Sequence, residues 1–396
     1  MNALNRTTVF LALFSLASQN ALAESPDTTL SMSVFNKLNT VEEFIGRQEY
    51  AKAQDKLSQM LKELPDKAAD RAYVYYSQAM LFLQQENYQQ ALNYYKKSYE
   101  LNALNEKTAA SVAQMLGNLS LHFEQYQQAI GYLNEYIKLN PTPEKQTLFA
   151  LGSAYYQLEQ YKAAEAPLEQ IMQQFDPDKS AYLLLFSAYY EQKKLNPATG
   201  VLERIIRFWP EESEHWLQLA SLYLEQKKIS KSLEVLQLAF AKKLLLKENE
   251  LLQYVYALYE KGLPYKAARV LTQAFDNKQI ERNYKNYSLL ASLYVDARED
   301  DLAFDAFQAA AEFAKDGKDD LYLAQLHYDR ESWEKSITHA KKALNKGISN
   351  AGNAHMLIAA SYHELDQTKE AKSHLEQASR HKKTREMARQ WLARLE

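Results

Sequence analysis

Small residues recur along this chain at a nearly constant interval, and this recurrence limits what the chain can fold into. Successive marker residues lie 33 to 38 residues apart, at Ala53, Ala91, Ala129, Ala164, Ala198, Ser232, Ala267, Ala303, Ser336 and Ala371. A large apolar residue follows four positions later in nine of the ten copies, the exception being the ninth, which has Ala340. Such a period predicts an array in which each repeat packs only against its neighbours.

Residues 146–177 show most clearly what one repeat contains. The apolar face of a first predicted helix carries Leu148, Leu151, Gly152 and Tyr155 at helical spacing. A second predicted helix carries Tyr161, Ala164, Leu168 and Ile171 in the same way, and Asp176–Pro177 ends it, because proline cannot continue a helix. Gly152 and Ala164 are small among large neighbours, which predicts that the two helices cross closely there.

This order of residues resembles the tetratricopeptide repeat, in which an aromatic residue, Leu-Gly, Tyr, Ala-x3-Phe and Pro follow one another over 34 residues. Leu148 stands at the aromatic position and Leu168 at the Phe position. The resemblance implies an all-α, right-handed superhelical solenoid of about ten helix-turn-helix repeats. A last helix over Thr384–Leu395, with Met387, Trp391 and Leu395 turned inward, is expected to cap the array.

The sequence divides into four parts. These are residues 1–23, a cleaved signal peptide; 24–71, a lead-in with an atypical first repeat; 72–379, the repeat array; and 380–396, the capping helix. Arg6, the apolar run Val9–Ala17 and the small residues of Ala21–Ala23 are typical of a secretory leader cut before Glu24. A retained membrane anchor is the alternative, but the run is shorter than the roughly 20 residues that a spanning helix needs. The expected location is the periplasm of a Gram-negative cell, with no membrane span in the mature chain.

The composition and motifs of the chain argue against an enzymatic or metal-binding function. The chain has no cysteine, which excludes disulfides, thiol catalysis, zinc–cysteine sites and a lipid-bearing cysteine, and its net charge of −3 does not suggest nucleic acid. It has no Gly-rich phosphate loop, no HExxH spacing and no nucleophile elbow. His363, His374 and His381 are the nearest group of histidines and are expected to be surface residues rather than metal ligands. We therefore expect no enzyme, no metal and no cofactor.

The resemblance also implies a binding groove, since first-helix positions 2, 5, 9, 12 and 13 line the groove in this family. The residues at such positions are Tyr73, Tyr76, Asn118, Phe149, Tyr156, Leu183, Tyr190, Leu217 and Tyr328. Ser153, Ser187 and Ser221 lie beside them and would leave space for a peptide backbone. Exposed aromatic rings would anchor a partner, although some of these rings could instead pack between repeats. A clamp for a C-terminal carboxylate is not expected, because Ser111 and Gln114 stand where basic residues would be needed.

Three segments carry a narrower resemblance: 262–268, 319–326 and 384–392. They are similar to exported tetratricopeptide proteins of marine gammaproteobacteria that accompany TonB–ExbB–ExbD systems. That resemblance implies a periplasmic accessory of a TonB complex in iron–siderophore uptake. The alternative is a scaffold for envelope assembly, serving outer-membrane proteins, polysaccharide export or pili, and an enzyme ranks third.

Charge is uneven towards the C-terminus. Residues 296–320 contain nine acidic residues against three basic ones, whereas residues 380–396 contain six basic residues against two acidic ones. This pattern indicates either solvated helix faces or a polarised docking surface, which would steer a partner more than strengthen its binding.

Overall fold

The computed structural model describes residues 28–64 and 66–395. These residues form 21 helices and no strand, so the predicted all-α fold of ten helix pairs plus a C-terminal helix is confirmed. The predicted signal peptide lies outside the described residues.

The helices alternate between the first and second member of a pair. The first five pairs are α1 Met32–Gly46 with α2 Tyr50–Glu63, α3 Ala68–Gln84 with α4 Tyr88–Glu100, α5 Glu106–His122 with α6 Tyr126–Leu139, α7 Lys145–Gln157 with α8 Tyr161–Gln174, and α9 Lys179–Glu191 with α10 Leu195–Phe208. The next five are α11 Ser213–Glu225 with α12 Ile229–Ala241, α13 Glu248–Glu260 with α14 Pro264–Asp276, α15 Tyr284–Asp296 with α16 Asp300–Phe313, α17 Lys318–Asp329 with α18 Trp333–Lys346, and α19 Ala351–Glu364 with α20 Thr368–Ser379. Helix α21, Arg385–Leu395, follows the last pair.

A left-handed residue ends the first helix of every pair. In the fourth pair Glu159 has a φ of 58°. Its amide donates to the carbonyl of Tyr156, and the amide of Gln160 donates to that of Tyr155, both at 2.9 Å. These bonds satisfy carbonyls that the helix end leaves free. Gly262, with a φ of 77°, is the only glycine at this position among the ten turns.

The marker residues lie in the core. All ten are between 0 and 4% exposed, which confirms the repeat frame read from the sequence. The large residue four positions later is fully buried in most copies, whereas Phe307 is half-buried. Each second helix therefore turns the same face toward its first helix.

The chain forms two compact units, which divide between Val201 and Leu202. In the first unit α1 contacts α3, α5 contacts α7, and α7 contacts α9. In the second unit α17 contacts α19 in the same way. These first helices therefore lie side by side within their units, as expected for neighbouring repeats of a solenoid.

The C-terminal helix differs in detail from the prediction. Ala388, Trp391, Leu392 and Leu395 pack on a cluster that includes Leu375 and Ala378. Met387 is 58% exposed, so its predicted inward position is wrong. The apolar stripe of α21 begins one residue later, at Ala388, because the small residue is the one that allows close approach to α20.

Gly347 caps the C-terminal end of α18 with a φ of 84°, a backbone conformation that favours glycine. Among the residues that the structure covers, no helix is long and apolar enough to cross a membrane.

Candidate partner-binding surface

We number each repeat so that its marker residue is position 20. The side chains at positions 2, 5, 9, 12 and 13 of the first helices in a unit are called the inner face of that unit. Tyr190 is the clearest anchor on the inner face of the first unit. It occupies position 12 of α9, is 47% exposed and stacks on Phe186 with ring centroids 5.9 Å apart. Asn118, at position 9 of α5, is also exposed. Both are free to contact a partner.

Tyr73 and Tyr76 serve packing more than binding. The Tyr73 hydroxyl accepts a hydrogen bond from the amide of Asn105 at 3.4 Å. The Tyr76 ring lies 6.1 Å from that of the fully buried Tyr95, and burial raises the pKa of Tyr76. These two rings therefore fit the alternative in which an aromatic side chain packs between repeats instead of anchoring a partner.

The remaining predicted residues of the first unit present only part of their surface. Phe149, Tyr156 and Leu183 are half-buried. The Tyr156 and Tyr161 rings pack edge to face with their centroids 5.2 Å apart. Tyr161 begins the second helix of the same repeat. On α7 and α9 the three half-buried residues form the floor of the inner face rather than projecting anchors.

The serines between these residues differ from one another. Ser187 donates its hydroxyl to the carbonyl of Leu183 at 2.9 Å and so bonds back to its own helix. Ser221, on α11, is exposed and accepts from the Gln253 amide at 3.1 Å. Ser153 is half-buried. Small side chains thus leave room at position 9 of three helices.

Leu217 and Tyr328 belong to the second unit, and both are half-buried. Tyr328 packs edge-on against Trp333 at 4.8 Å. Burial, followed by the nearby charge of Glu364, raises the pKa of Tyr328. This tyrosine therefore lies beside a carboxylate of the next repeat.

Sequence reasoning missed three exposed apolar residues on the inner face of the second unit. Tyr256 and Tyr259 occupy positions 9 and 12 of α13 and are 42% and 43% exposed. Val295, at position 12 of α15, is 46% exposed. Counting back eleven and eight residues from Ala267 would have found both tyrosines, since the marker position was already known.

Tyr259 is also held in place. Its hydroxyl donates to Oδ2 of Asp296 at 2.6 Å, which joins α13 to α15. That hydrogen bond and the charge of Asp296 raise the pKa of Tyr259. The ring is therefore an exposed but fixed feature.

The histidines are arranged differently from the prediction. The Nδ1 atoms of His355 and His374 lie 3.1 Å apart, and the His381 ring lies 6.1 Å from that of His355. His363 instead packs edge-on against Trp391 at 5.8 Å. Burial, then the neighbouring His355, lowers the pKa of His374 to about 4. In the described part of the chain, no group of three or more His, Asp or Glu side chains is placed to hold a metal ion.

A family comparison agrees with the repeat frame. The tetratricopeptide repeat model matches residues 76–142 and again residues 115–180. Residues 76–180 are therefore similar to tetratricopeptide repeats. The matches cover α4 to α8 and most of α3, and they indicate no catalytic family.

Solved structures extend the likeness to the fold of the chain. The structure of Naa15/Naa10 bound to HypK-THB is similar at 16% identity and a TM-score of 0.51, over 88% of this chain and 58% of that one. Our chain thus spans 58% of the length of that structure. At this identity the likeness shows the fold alone, which is a tetratricopeptide solenoid.

Smaller tetratricopeptide structures also match. YrrB, described as a TPR protein with an unusual peptide-binding site, is 20% identical over 52% of this chain and 97% of its own, with a TM-score of 0.38. A tetratricopeptide repeat protein from Parabacteroides merdae is 15% identical over 72% of this chain and 94% of its own, with a TM-score of 0.37. A comparison with curated protein sequences gives no match.

Proposed function

We propose that this chain is a non-enzymatic tetratricopeptide scaffold of the periplasm that assists a TonB–ExbB–ExbD complex in iron–siderophore uptake. The inner face of its first helices would hold the partner protein. The observation that carries the binding role is the set of exposed apolar side chains at one repeat position. Tyr190, Tyr259 and Val295 all occupy position 12.

Tyr190, Tyr259 and Val295 can be exposed without harm to the fold, because packing within their repeats is carried mainly by other positions. The marker residues and the large residues four positions later fill the core. Exposed rings that contribute little to this core are the kind of side chain that anchors a partner. An extended or helical segment laid along such a layer is the expected mode of binding.

The periplasmic location and the TonB role are supported by the sequence. Arg6, the apolar run Val9–Ala17 and Ala21–Ala23 have the order of an export signal. Segments 262–268, 319–326 and 384–392 resemble exported TonB-associated tetratricopeptide proteins.

Site-specific photo-crosslinking in living cells tests this function. A photoreactive residue would replace Tyr190 or Tyr259 in the full chain, and mass spectrometry would identify what is captured. Tyr265, at the start of the second helix α14, is a matched control because it is 43% exposed, as is Tyr259.

Capture of TonB, ExbB or ExbD from the two inner-face positions, and not from Tyr265, is the expected result. Capture of outer-membrane assembly, polysaccharide export or pilus components would replace the TonB role with envelope assembly. Equal capture from all three positions would reject the inner face as the binding surface.

A further inference from the structure

The inner face of the second unit ends in a row of carboxylates. The last residue of each complete first helix in this unit is acidic and exposed, at Glu225, Glu260, Asp296, Asp329 and Glu364. Each lies at position 13, seven residues before its marker. Positions 9, 12 and 13 of these five helices contain no lysine or arginine.

The first unit lacks this row. Position 13 is Gln84 in α3, His122 in α5, Gln157 in α7 and Glu191 in α9. At position 13 the two inner faces therefore differ in chemistry, since the first unit has one carboxylate there and the second has five. A shared requirement of the repeat fold does not account for the acids, because the repeats of the first unit fold without them.

Helix electrostatics do not account for the acids either. The C-terminal end of a helix carries a partial negative charge, so a carboxylate there is unfavourable. No ion pair within residues 28–64 and 66–395 joins any of the five to a lysine or arginine. A cationic ligand would relieve this repulsion.

Basic residues in the turns that follow do not cancel the row. Lys261 donates to the Ser230 hydroxyl of α12 at 2.8 Å. Arg330 pairs with Asp301 of α16 at 2.9 Å and lies over the Phe304 ring at 4.8 Å. Both cations are thus directed to second helices. Lys227, Lys228 and Arg298 are the other basic residues of these turns, and the five carboxylates outnumber these three cations.

Exposed apolar side chains lie among the carboxylates. Tyr256, Tyr259 and Val295 share this face with Glu260 and Asp296, and we call these five residues the acidic tyrosine surface. The hydrogen bond between Tyr259 and Asp296 connects its two helices. Aromatic rings beside carboxylates favour a ligand that offers both a cation and an apolar stem, as lysine and arginine do.

We propose that the acidic tyrosine surface binds an extended segment of the partner protein in which lysine or arginine alternates with apolar residues. This inference rests on the proposed scaffold function and names the chemistry of its ligand. The chain's own residues 1–27 do not suit the surface, since they contain Arg6 as their one basic residue against Glu24 and Asp27. The basic stretch at residues 380–395 is mostly helix α21 packed on α20 and is not an extended segment, so charge complementarity points to a different protein.

Fluorescence anisotropy on the mature chain, residues 24–396, tests the proposal. The probe is a labelled dodecapeptide that alternates lysine with leucine, and its counterpart has glutamate in place of lysine. One double variant is Tyr256→Ala with Tyr259→Ala, and its control is Tyr265→Ala. The other is Glu260→Gln with Asp296→Asn, and its control is Asp305→Asn with Glu312→Gln, two exposed acids on the second helix α16.

The lysine probe should bind at least about tenfold more tightly than the glutamate counterpart. The tyrosine double variant should bind the lysine probe about tenfold or more weakly than the parent, as expected when anchor residues are removed. The Glu260→Gln with Asp296→Asn variant should bind the lysine probe about three- to tenfold more weakly than the parent. The affinity that remains should depend less on salt concentration. Both controls should stay within about twofold of the parent.

Equal binding of the two probes, equal loss in the controls, or no binding of the lysine probe at about 1 mM would each overturn the proposal. Analytical ultracentrifugation of the chain alone tests whether a second copy of the chain occupies the surface. Self-association that Glu260→Gln with Asp296→Asn abolishes would show that a second copy occupies the surface, and would also overturn it.

Failure of this inference and failure of the proposed function can be told apart. If Tyr190 captures TonB proteins in cells but the lysine probe is indifferent to the tyrosine variant, the scaffold function stands and this ligand class fails. If the lysine probe behaves as expected but no TonB protein is captured, the surface stands and the TonB role fails.

Discussion

Gly152 lies so close to Leu168 that a Cβ atom added to the glycine would fall 2.7 Å from the leucine Cγ. Leu168 follows the marker residue Ala164 by four positions, so this contact joins the two helices of one repeat at its centre. Gly117 and Leu133 repeat the relationship one repeat earlier, where the distance is 2.6 Å. The glycine is required by close approach rather than by backbone conformation.

Replacing Gly152 with leucine should therefore overpack the fourth repeat. We expect a loss of about 1–3 kcal/mol in the free energy of unfolding, because the new side chain must displace Leu168 or part the two helices. A lower urea midpoint, followed by circular dichroism, measures the effect.

Gly131 supplies the matched control for that substitution. It also lies inside a helix, α6, but a Cβ there would meet nothing within 4 Å. Gly131→Ala should leave the midpoint unchanged or raise it, since alanine is the better helix former by about 1 kcal/mol. An unchanged midpoint for Gly152→Leu would contradict the close crossing.

The helix pairs and the core could be predicted because they depend on periodic burial. Every marker residue proved buried, and the pairing of Gly152 with the second helix was correct. Because the marker residues recur every 33 to 38 residues, all ten copies share one alignment. A wrong assignment in one repeat therefore does not shift the helices predicted for the others.

The remaining details depend on contacts that one sequence does not reveal. The left-handed turn residues include Glu159, Lys193 and Arg298, which lack the glycine signal of such a position. Met387 and Ala388 are adjacent, and only the packing against α20 decides which of them faces inward. Nine groove residues were predicted from the repeat frame, yet their exposure depends on neighbouring rings, as with Tyr76 beside Tyr95.

Acid should destabilise the second unit through His374. Its pKa is near 6.5 when unperturbed and is lowered to about 4 in the fold. The unfolded chain therefore binds the proton first, and stability falls as the pH drops from about 6.5 to about 4. Because the side chain is half-buried, we expect a loss of about 1 kcal/mol from this residue.

His374→Gln isolates that contribution from carboxylates that also titrate in acid. The variant should lose less stability than the parent between pH 7 and pH 5, as measured by urea midpoints at each pH. Parallel pH profiles for the two proteins would show that His374 is not the group responsible.

Export predicts a defined mature terminus. If residues 1–23 are a cleaved leader, protein recovered from the periplasmic fraction should begin at Glu24, because signal peptidase cuts after the small residues of Ala21–Ala23. Intact mass spectrometry reads the terminus directly. A full-length mass in the membrane fraction would instead support a retained anchor.

The inner face of the first unit can be tested with Tyr156→Ala combined with Tyr190→Ala. Tyr190 is exposed and Tyr156 half-buried, so the pair removes one projecting ring and one ring of the floor. We expect partner binding to weaken about ten- to hundredfold, because aromatic anchors carry much of the energy of an interface. Titration calorimetry with the captured partner measures the change, while circular dichroism should remain helical.

Tyr161→Ala separates binding from packing in that experiment. It removes the ring that Tyr156 touches at 5.2 Å but leaves Tyr190 intact. If the inner face binds the partner, Tyr161→Ala should lower the urea midpoint about as much as Tyr156→Ala does, with little loss of affinity. An equal loss of affinity in Tyr161→Ala would mean that these rings act by holding α7 against α8, and that the partner binds elsewhere.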